Sequence, residues 1–150
     1  MYLLFLLLLP HQASAEQGYV MRVLDGDTLI VKTGRKIEHI RIIGIDTPEL
    51  LDQKTGVAQC YSVEAMKELK KLLFRKTVSI ERDAITKNRD LYGRKLRTVS
   101  IGLSDIAEHL VKNGFARVYT RSPARALDKL LKLQNGARRS NKGLWAACKK

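Results

Sequence analysis

The sequence predicts an α+β protein: a five-stranded Greek-key β-barrel of OB type with three α-helices. The 150-residue chain has the length of one domain, and 45% of its residues are hydrophobic, which is enough for a core. Its first three apolar segments are joined by tight turns, so they form hairpins without helical crossovers. The order β-β-β-α-β-β-α-α places one helix after the third strand, which favours a small Greek-key barrel over a parallel sheet.

The first three strands are rich in Val, Ile and Leu and are separated by short polar turns that contain glycine. They are predicted over residues 18–24, 28–32 and 37–45. In the third strand the side chains alternate between two faces, and Arg41 lies among apolar neighbours on its own face. A charge in that position needs an anionic partner.

The next segments change from a loop to a helical pattern and then back to strands. Residues 46–58 contain proline, glycine and few apolar side chains, which indicates a loop. Apolar residues at helical spacing then predict one amphipathic helix over residues 62–74. Two short strands follow at residues 77–81 and 95–101, and a long polar connection joins them.

Two more helices complete the predicted fold. The second helix is expected over residues 104–112, with Ser104 at its start and an Asn-Gly pair after its end. The third helix is expected to begin at Ser122 and Pro123, with the serine as N-cap and the proline at the first helical position.

The chain is strongly basic, with 28 Lys and Arg against 15 Asp and Glu, a net charge of +13 and a pI near 10.0. Such an excess attracts polyanions, of which nucleic acid is the commonest class and an acidic membrane surface the next. The mean hydropathy of −0.21 and the lack of a long apolar run in the sequence exclude a multi-span membrane protein. The charge therefore predicts a class of partner but no reaction.

The first fifteen residues have the features of a secretory signal peptide. Residues 1–9 are apolar but far shorter than the roughly 20 residues of a membrane-spanning helix, and residues 13–15 form a small-residue cleavage site. We expect cleavage after Ala15, export to the periplasm or the medium, no stable membrane anchor, and one domain over residues 16–150. Because the segment lacks Lys and Arg, a retained N-terminal anchor helix is the alternative.

Export also bears on the two cysteines, Cys60 and Cys148. In an oxidising compartment such a pair can close into a disulfide, which for a loop of this size contributes roughly 4 kcal/mol in the chain-entropy model. The disulfide would hold the C-terminus against the middle of the domain. The alternative is two buried free thiols.

Acidic residues are concentrated in the least basic part of the chain. Residues 16–60 carry six basic and seven acidic side chains, whereas the rest of the chain carries a net charge of +14. Four of the acids lie in two short motifs, residues 25–28 and 46–49, and each motif follows a strand end, so a barrel would bring both to one rim. Either motif alone is typical of a turn. Together they offer three carboxylates and a backbone carbonyl, which are the oxygen ligands that Ca²⁺ prefers.

Other chemistries have less support in the sequence. His39 and His109 are isolated, so no cluster of His or Cys suits zinc. No Ser or Cys has a base partner that would make it a covalent nucleophile.

Four motifs stand out when the chain is considered as a whole. They are Asp-Gly-Asp-Thr at 25–28, Arg-Ile-Ile-Gly-Ile-Asp-Thr-Pro-Glu at 41–49, Asp-Leu-Tyr-Gly-Arg at 90–94 and Gly-Leu-Trp at 143–145. In order and spacing they resemble the staphylococcal nuclease (thermonuclease) family over residues 18–146. The resemblance implies an OB-barrel phosphodiesterase that uses Ca²⁺ to hydrolyse DNA and RNA with little sequence specificity, leaving 3′-phosphate and 5′-hydroxyl ends. The implied partners are single-stranded and double-stranded DNA and RNA, and a monomer is expected.

The resemblance also implies a role for each matching acidic position. The calcium ligands would be Asp27, Asp46 and the main-chain carbonyl of Thr47. Glu49 would be the general base, or the carboxylate that positions the attacking water.

The resemblance further implies that the matching basic and aromatic residues contact the substrate. Arg41 and Arg94 would hold the phosphate, because guanidinium groups stabilise the negative charge that builds up during attack by water. Tyr92 and Tyr119 match positions that contact the substrate phosphate and base, and stacking on an aromatic ring tolerates any base.

Each assignment has a structural alternative. Arg41 would form only a supporting salt bridge to Glu38 or Glu49, Arg94 would be a solvated hairpin residue, and the tyrosines would fill the rim. For the whole protein, the alternative is a catalytically weak OB-fold module that binds nucleic acid. A third possibility is a cationic protein that acts on membranes through residues 124–139, although the leucines there are better explained as packing on the barrel.

Overall fold

The computed structural model describes residues 15–148, so the signal peptide predicted for residues 1–15 lies, except for Ala15, outside them. The strands are β1 (Glu16–Val23), β2 (Thr28–Thr33), β3 (Lys36–Ile42), β4 (Ile45–Asp46), β5 (Thr77–Glu81), β6 (Lys95–Ile101), β7 (Ser104–Asp105) and β8 (Arg117–Val118). The helices are α1 (Ser62–Leu73), α2 (Ile106–Lys112), α3 (Leu127–Arg139) and α4 (Leu144–Ala147). Within the described range, no helix combines the length and the apolar character needed to cross a membrane.

Five strands close into the predicted barrel. β1, β2 and β3 form two consecutive antiparallel hairpins, and β1 also pairs with β5, which in turn pairs with β6. The parallel pairing of β3 with β6, from Ile40 opposite Lys95 to Ile42 opposite Arg97, joins the two ends of this sheet. The predicted α+β fold with an OB-type barrel is therefore confirmed.

Inward-facing side chains of the barrel and one face of each of three helices form a single core. The barrel contributes Val20, Leu29, Val31, Ile40, Ile42, Val78, Ile80 and Val99, and the helices contribute Leu69, Leu73, Ile106, Leu110 and Leu130. Full burial of such a side chain is worth about 1.5–3 kcal/mol relative to exposure. The packed core holds the strand ends in place, and the two acidic motifs begin at those ends.

The third strand is shorter than predicted. The expectation of one strand over residues 37–45 is wrong at its end, because the chain turns at Ile43 and Gly44 and then resumes as β4. β4 pairs with β8 instead of continuing the barrel, with Asp46 opposite Arg117. Gly44, whose φ is +76°, is the one local sign of this turn, which separates the second acidic motif from the barrel strands.

The second helix begins later than predicted. Ser104 and Asp105 form β7, which pairs with the end of β6. The helix cap is therefore Asp105 and not Ser104, and Asp105 Oδ1 accepts the N–H of Glu108 at 2.9 Å. A carboxylate at this position also interacts favourably with the helix dipole.

The third helix does not begin at Ser122 and Pro123 as predicted, but further along the chain. The segment before it makes tertiary contacts with the β5–β6 connection. The carbonyl of Pro123 accepts the Thr86 hydroxyl at 2.6 Å, and the N–H of Arg125 donates to Asp83 at 2.7 Å. An earlier helix start would have placed the Pro123 carbonyl in a helical hydrogen bond and left the Arg125 N–H to the helix cap, so both groups have other partners here.

The short helix α4, which was not predicted, is fastened to the turn that follows α2. The N–H of Leu144 donates to the carbonyl of Gly114 at 2.8 Å, and the Leu144 side chain is buried. Gly143 has a φ of +54°, and a Cβ there would lie 2.3 Å from the Gly114 oxygen. Cys148, just after α4, forms a disulfide with Cys60, with the two Cα atoms 5.8 Å apart. The disulfide prediction is confirmed, and it uses both cysteines of the chain.

Gly143→Ala is expected to destabilise the fold more than Gly34→Ala. Both glycines have a positive φ, 54° and 56°, so alanine strains the backbone at either position by about 1–3 kcal/mol, and the ψ of −125° at Gly143 lies outside the left-handed helical region. A Cβ at Gly34 has nothing within 4 Å, whereas at Gly143 it collides with backbone and costs roughly 1–3 kcal/mol more. Urea unfolding of the two disulfide-bonded variants measures the difference, and equal free energies of unfolding would contradict this packing.

Candidate active site

The two acidic motifs are in direct contact at one rim of the barrel. Asp27, in the turn between β1 and β2, accepts two hydrogen bonds on Oδ2 from Thr47, one from its N–H and one from its hydroxyl, both at 2.9 Å. Gly26 permits this approach, because a Cβ at that position would lie 2.7 Å from the Thr47 side chain. The buried carboxylate of Asp27 thus links two motifs that lie twenty positions apart in the sequence.

Arg41 is the cation that joins these motifs. Its Nη2 lies 3.1 Å from Asp27 Oδ2 and 3.0 Å from Asp46 Oδ1, and its side chain is only 12% exposed. Its Nη1 donates to the carbonyls of Ile42 and Ile45, both at 2.9 Å. The turn after β3 therefore wraps around the guanidinium and holds it in place.

Arg41 has anionic partners, as its place among apolar neighbours predicts. They are not Glu38 or Glu49, the partners considered for a purely supporting salt bridge. Neither Glu38 nor Glu49 forms a salt bridge with Arg41 among the described residues, and Glu38 pairs instead with Lys95 at 2.8 Å. Arg41 binds the carboxylates of the two acidic motifs. Its position is consequently central to the site and not peripheral.

Arg94, in the β5–β6 connection, is linked to the Asp27 carboxylate through the hydroxyl of Thr28. Its Nε pairs with Asp90 Oδ2 at 2.6 Å, and its Nη1 donates to the Thr28 hydroxyl at 3.1 Å. That hydroxyl donates in turn to Asp27 Oδ1 at 3.1 Å. The side chain of Arg94 is 26% exposed, so it is held in place and not freely solvated.

Asp27 is nearly fully buried, and its environment opposes its negative charge. Burial raises the pKa of Asp27 to about 7, although the guanidinium of Arg41 acts in the opposite direction. The neighbouring Asp25 raises the pKa further, and the hydrogen bonds from Thr47 lower it. Burial, more than the balance of neighbouring charges, therefore opposes the charged form of Asp27.

Glu49 lies on the loop after β4, and its pKa is also raised. Burial is the largest influence that raises its pKa, and the charges of Asp25 and Asp46 add to the effect. Arg41 and Arg94 lower it. The Glu49 carboxylate is thus within electrostatic reach of both arginines and of both acidic motifs.

An open cleft of about 540 Å³ lies beside Glu49. It is lined by Glu49, Leu51, Asp52, Gln53, Lys54, Gln59, Tyr92 and Arg94. Tyr92 is 80% exposed, and its ring centroid lies 5.4 Å from the Arg94 Cζ. Three of the predicted residues, the carboxylate, the arginine and the aromatic ring, therefore face one solvent-accessible space.

Tyr119 is placed differently from Tyr92. It follows β8, and its N–H donates to the carbonyl of Gly44 at 2.9 Å. It is 37% exposed and is not among the described residues that line the cleft.

The predicted metal ligands have the donor chemistry of a hard cation. Within residues 15–148, no group of three or more His, Cys, Asp or Glu side chains forms a ready metal cluster. Asp27 and Asp46, however, converge on a single guanidinium nitrogen, and Thr47 adjoins both. Two carboxylates and a main-chain carbonyl, completed by water, are oxygen ligands of the kind that Ca²⁺ accepts.

Several supporting residues were not assigned a role from the sequence. They are Asp25, Thr28, Gln59 and Asp90. Asp25 Oδ1 accepts the Asp27 N–H at 2.9 Å, and Gln59 Oε1 accepts the Glu49 N–H at 2.9 Å. Asp25 and Asp90 stand in Asp-rich turns, so local Asx-turn chemistry could have indicated them. Thr28 and Gln59 act across longer distances and carry no local signal.

Comparisons with known proteins identify the family of this chain. The family described as "Staphylococcal nuclease homologue" matches residues 39–147. The thermonuclease of Staphylococcus hyicus is 38% identical over 133 residues, covering 87% of this chain and 77% of the relative. The thermonuclease of Staphylococcus intermedius is 40% identical over 102 residues, covering 68% and 59%, respectively. An uncharacterized endonuclease of Escherichia coli O157:H7 is 34% identical over 145 residues, covering 95% and 86%.

The family match covers the end of β3, the strands β5 and β6 and the segments between and after them, including Asp46, Thr47, Glu49 and Arg94, and it begins after Asp27. The chain therefore belongs to the family of staphylococcal nuclease homologues, and it is accordingly an enzyme that acts on nucleic acids.

Proposed function

We propose that this nuclease is a Ca²⁺-dependent phosphodiesterase that hydrolyses DNA and RNA with little sequence specificity and leaves 3′-phosphate and 5′-hydroxyl ends. The observation that carries the proposal is the convergence of two arginines on one buried carboxylate beside Glu49. Arg41 contacts Asp27 directly, and Arg94 reaches it through one hydroxyl. Guanidinium groups can stabilise the negative charge that develops in phosphodiester hydrolysis, and a nearby carboxylate can act as the base.

The arginines have the roles of binding the phosphate and stabilising charge. Attack on a phosphodiester places additional negative charge on its non-bridging oxygens, and guanidinium groups donate to such oxygens in a fixed geometry. Arg94 is held through Nε and Nη1, and among the described residues its Nη2 has no acceptor, so this nitrogen is available to a phosphate at the cleft. Arg41 presents Nη2 towards the same rim.

Glu49 is proposed to take the proton of the attacking water, or to orient that water. It lines the cleft together with Arg94, which places a carboxylate and a phosphate-binding cation around one space. Its pKa is raised by burial and by the neighbouring acids, and a more basic carboxylate is a better proton acceptor.

Asp27, Asp46 and the main-chain carbonyl of Thr47 would hold the calcium ion. When bound, the ion supplies positive charge that neutralises the acidic motifs and favours a phosphate oxygen at the rim. Neutralised carboxylates would compete less for Arg41, whose Nη2 now contacts both. That guanidinium would then be free to bind substrate.

The tyrosines are proposed to contact the rest of the substrate. Tyr92 is highly exposed at the cleft, where a base or sugar could pack on its ring without sequence readout. Tyr119 lies beyond the cleft and would contact a more distant part of the nucleic acid.

We further propose that the protein is exported to the periplasm or the medium and acts as a monomer. The disulfide between Cys60 and Cys148 supports an oxidising compartment, because such bonds are rare where thiols are kept reduced. The signal peptide remains a prediction.

Glu49→Gln is expected to lower kcat for hydrolysis of single-stranded DNA by roughly 10²–10⁴-fold, because the amide cannot accept a proton. The matched control is Glu64→Gln, which removes an exposed carboxylate on α1 and should act as wild type. The assay uses end-labelled DNA and RNA with Ca²⁺ or with a chelator, and the chemistry of the product ends is read directly. Equal cleavage rates for both variants, or a wild-type rate that the chelator does not change, would refute the proposal.

Ca²⁺ is expected to raise the thermal unfolding midpoint of the wild-type protein and to have little effect on Asp46→Asn. Binding to the folded state stabilises by about 2.7 kcal/mol at a hundredfold excess over Kd, which shifts the midpoint by several degrees. Asp128→Asn, which removes an exposed acid on α3, should keep the wild-type shift. The same shift in all three proteins would place the ion elsewhere. This measurement does not depend on activity.

A further inference from the structure

The loop that carries Glu49 has no helix or strand of its own between β4 and α1. Gln59 is the residue that fastens it. The N–H of Gln59 donates to the Glu49 carbonyl at 2.9 Å, and Gln59 Oε1 accepts the Glu49 N–H at 2.9 Å. Both backbone groups of the proposed base are thus bound by one residue, ten positions further along the chain.

The side chain of Gln59 also organises the part of the loop that it spans. Its Nε2 donates to Asp52 Oδ2 at 2.6 Å. The other oxygen of Asp52 accepts the N–H groups of Lys54 and Thr55 at 2.8 and 2.9 Å. One amide therefore connects Glu49 to the turn that forms the opposite side of the cleft.

The disulfide fixes the position of this fastening residue. Cys60 follows Gln59 directly, and its bond to Cys148 ties the end of the loop to α4. α4 is itself anchored, because Leu144 is buried and its N–H is bound to Gly114. Tyr61, next along the chain, packs against Phe115 with ring centroids 5.7 Å apart. The loop end is therefore held by the C-terminal part of the domain.

We propose that Gln59 is a positioning residue for Glu49 and that the Cys60–Cys148 disulfide, by holding Gln59, makes the activity of the nuclease dependent on the redox state of that bond. The proposal rests on the role of Glu49 given above. Reduction by a dithiol transfers two electrons and two protons to the two sulfur atoms, so that the S–S bond breaks, two thiols form and the dithiol becomes a cyclic disulfide. Cys60 is exposed, so a reductant can reach it.

The contacts of Gln59 predict a loss in kcat and not in substrate binding. Gln59→Met keeps the length of the side chain but removes the acceptor for Glu49 and the donor to Asp52, and we expect kcat to fall ~10-fold while KM changes less than about twofold. Gln59→Glu/Asp52→Asn keeps an acceptor for the Glu49 N–H and restores, with reversed direction, the hydrogen bond to residue 52, so it should recover part of kcat. Gln17→Met, at an exposed position on β1, is the control and should match wild type.

These variants separate the two proposals. A wild-type kcat for Glu49→Gln would overturn the proposed function itself. If Glu49→Gln loses activity while Gln59→Met keeps the wild-type kcat, the positioning role is refuted. A rise in KM with unchanged kcat would also refute it, because that pattern indicates lost binding and not a misplaced base.

Reduction of the folded wild-type protein with dithiothreitol is expected to lower kcat several-fold at a temperature well below unfolding, with KM nearly unchanged. The double variant Cys60→Ser/Cys148→Ser should have the lowered kcat without reductant, and dithiothreitol should not change that kcat. In Gln59→Met, reduction should have little further effect, because the two changes remove the same constraint. Full activity of the reduced protein, with free thiols verified by titration, would overturn the redox part, and an additive loss in Gln59→Met would show that the disulfide does not act through Gln59.

Discussion

The buried carboxylate of Asp27 is the group on which the rest of the site depends. Thr47 donates to one of its oxygens, Thr28 donates to the other, and Arg41 pairs with it. An ionised carboxylate out of water costs several kcal/mol unless such partners compensate it, so the fold must bring all of them together. A single group thereby ties the β1–β2 turn, the end of β3 and the segment after β4 to one another, and the hydroxyl of Thr28 extends the connection to Arg94.

The rigidity of this arrangement comes from the barrel, but the proposed base is not part of it. Arg41 lies on β3 and is clasped by carbonyls of the following turn, so its donors are oriented before any substrate arrives. Preorganised donors of this kind stabilise developing charge with little rearrangement. Glu49, in contrast, lies on an irregular loop whose position depends on a few exposed hydrogen bonds and on one covalent link. The proposed site therefore combines a fixed part that would bind charge with a more adjustable part that would move protons.

The charge distribution follows the same division. The net charge of +13 is spread over the body of the domain, whereas the segment of residues 16–60 is slightly acidic and contains both acidic motifs. A basic body raises the local concentration of a polyanion, and its field is screened by salt. In the proposed function, the acidic rim would favour phosphate only once a cation neutralises it, so attraction and reaction would belong to different parts of one small protein.

The sequence by itself determined the strands of the barrel, the disulfide pair and the family, because period-two alternation, turn residues and ordered motifs are local properties of the chain. It did not reveal the turn after Ile42 or the start of α3, since both are decided by contacts with distant segments, such as the Pro123 carbonyl with Thr86. It also showed that Arg41 needs an anion without showing which one. Only the closed barrel, which brings Asp27 and Asp46 to one nitrogen of that guanidinium, decided the partner. Hydrogen bonds between segments many residues apart depend on how the sheet closes, and no local pattern encodes that closure.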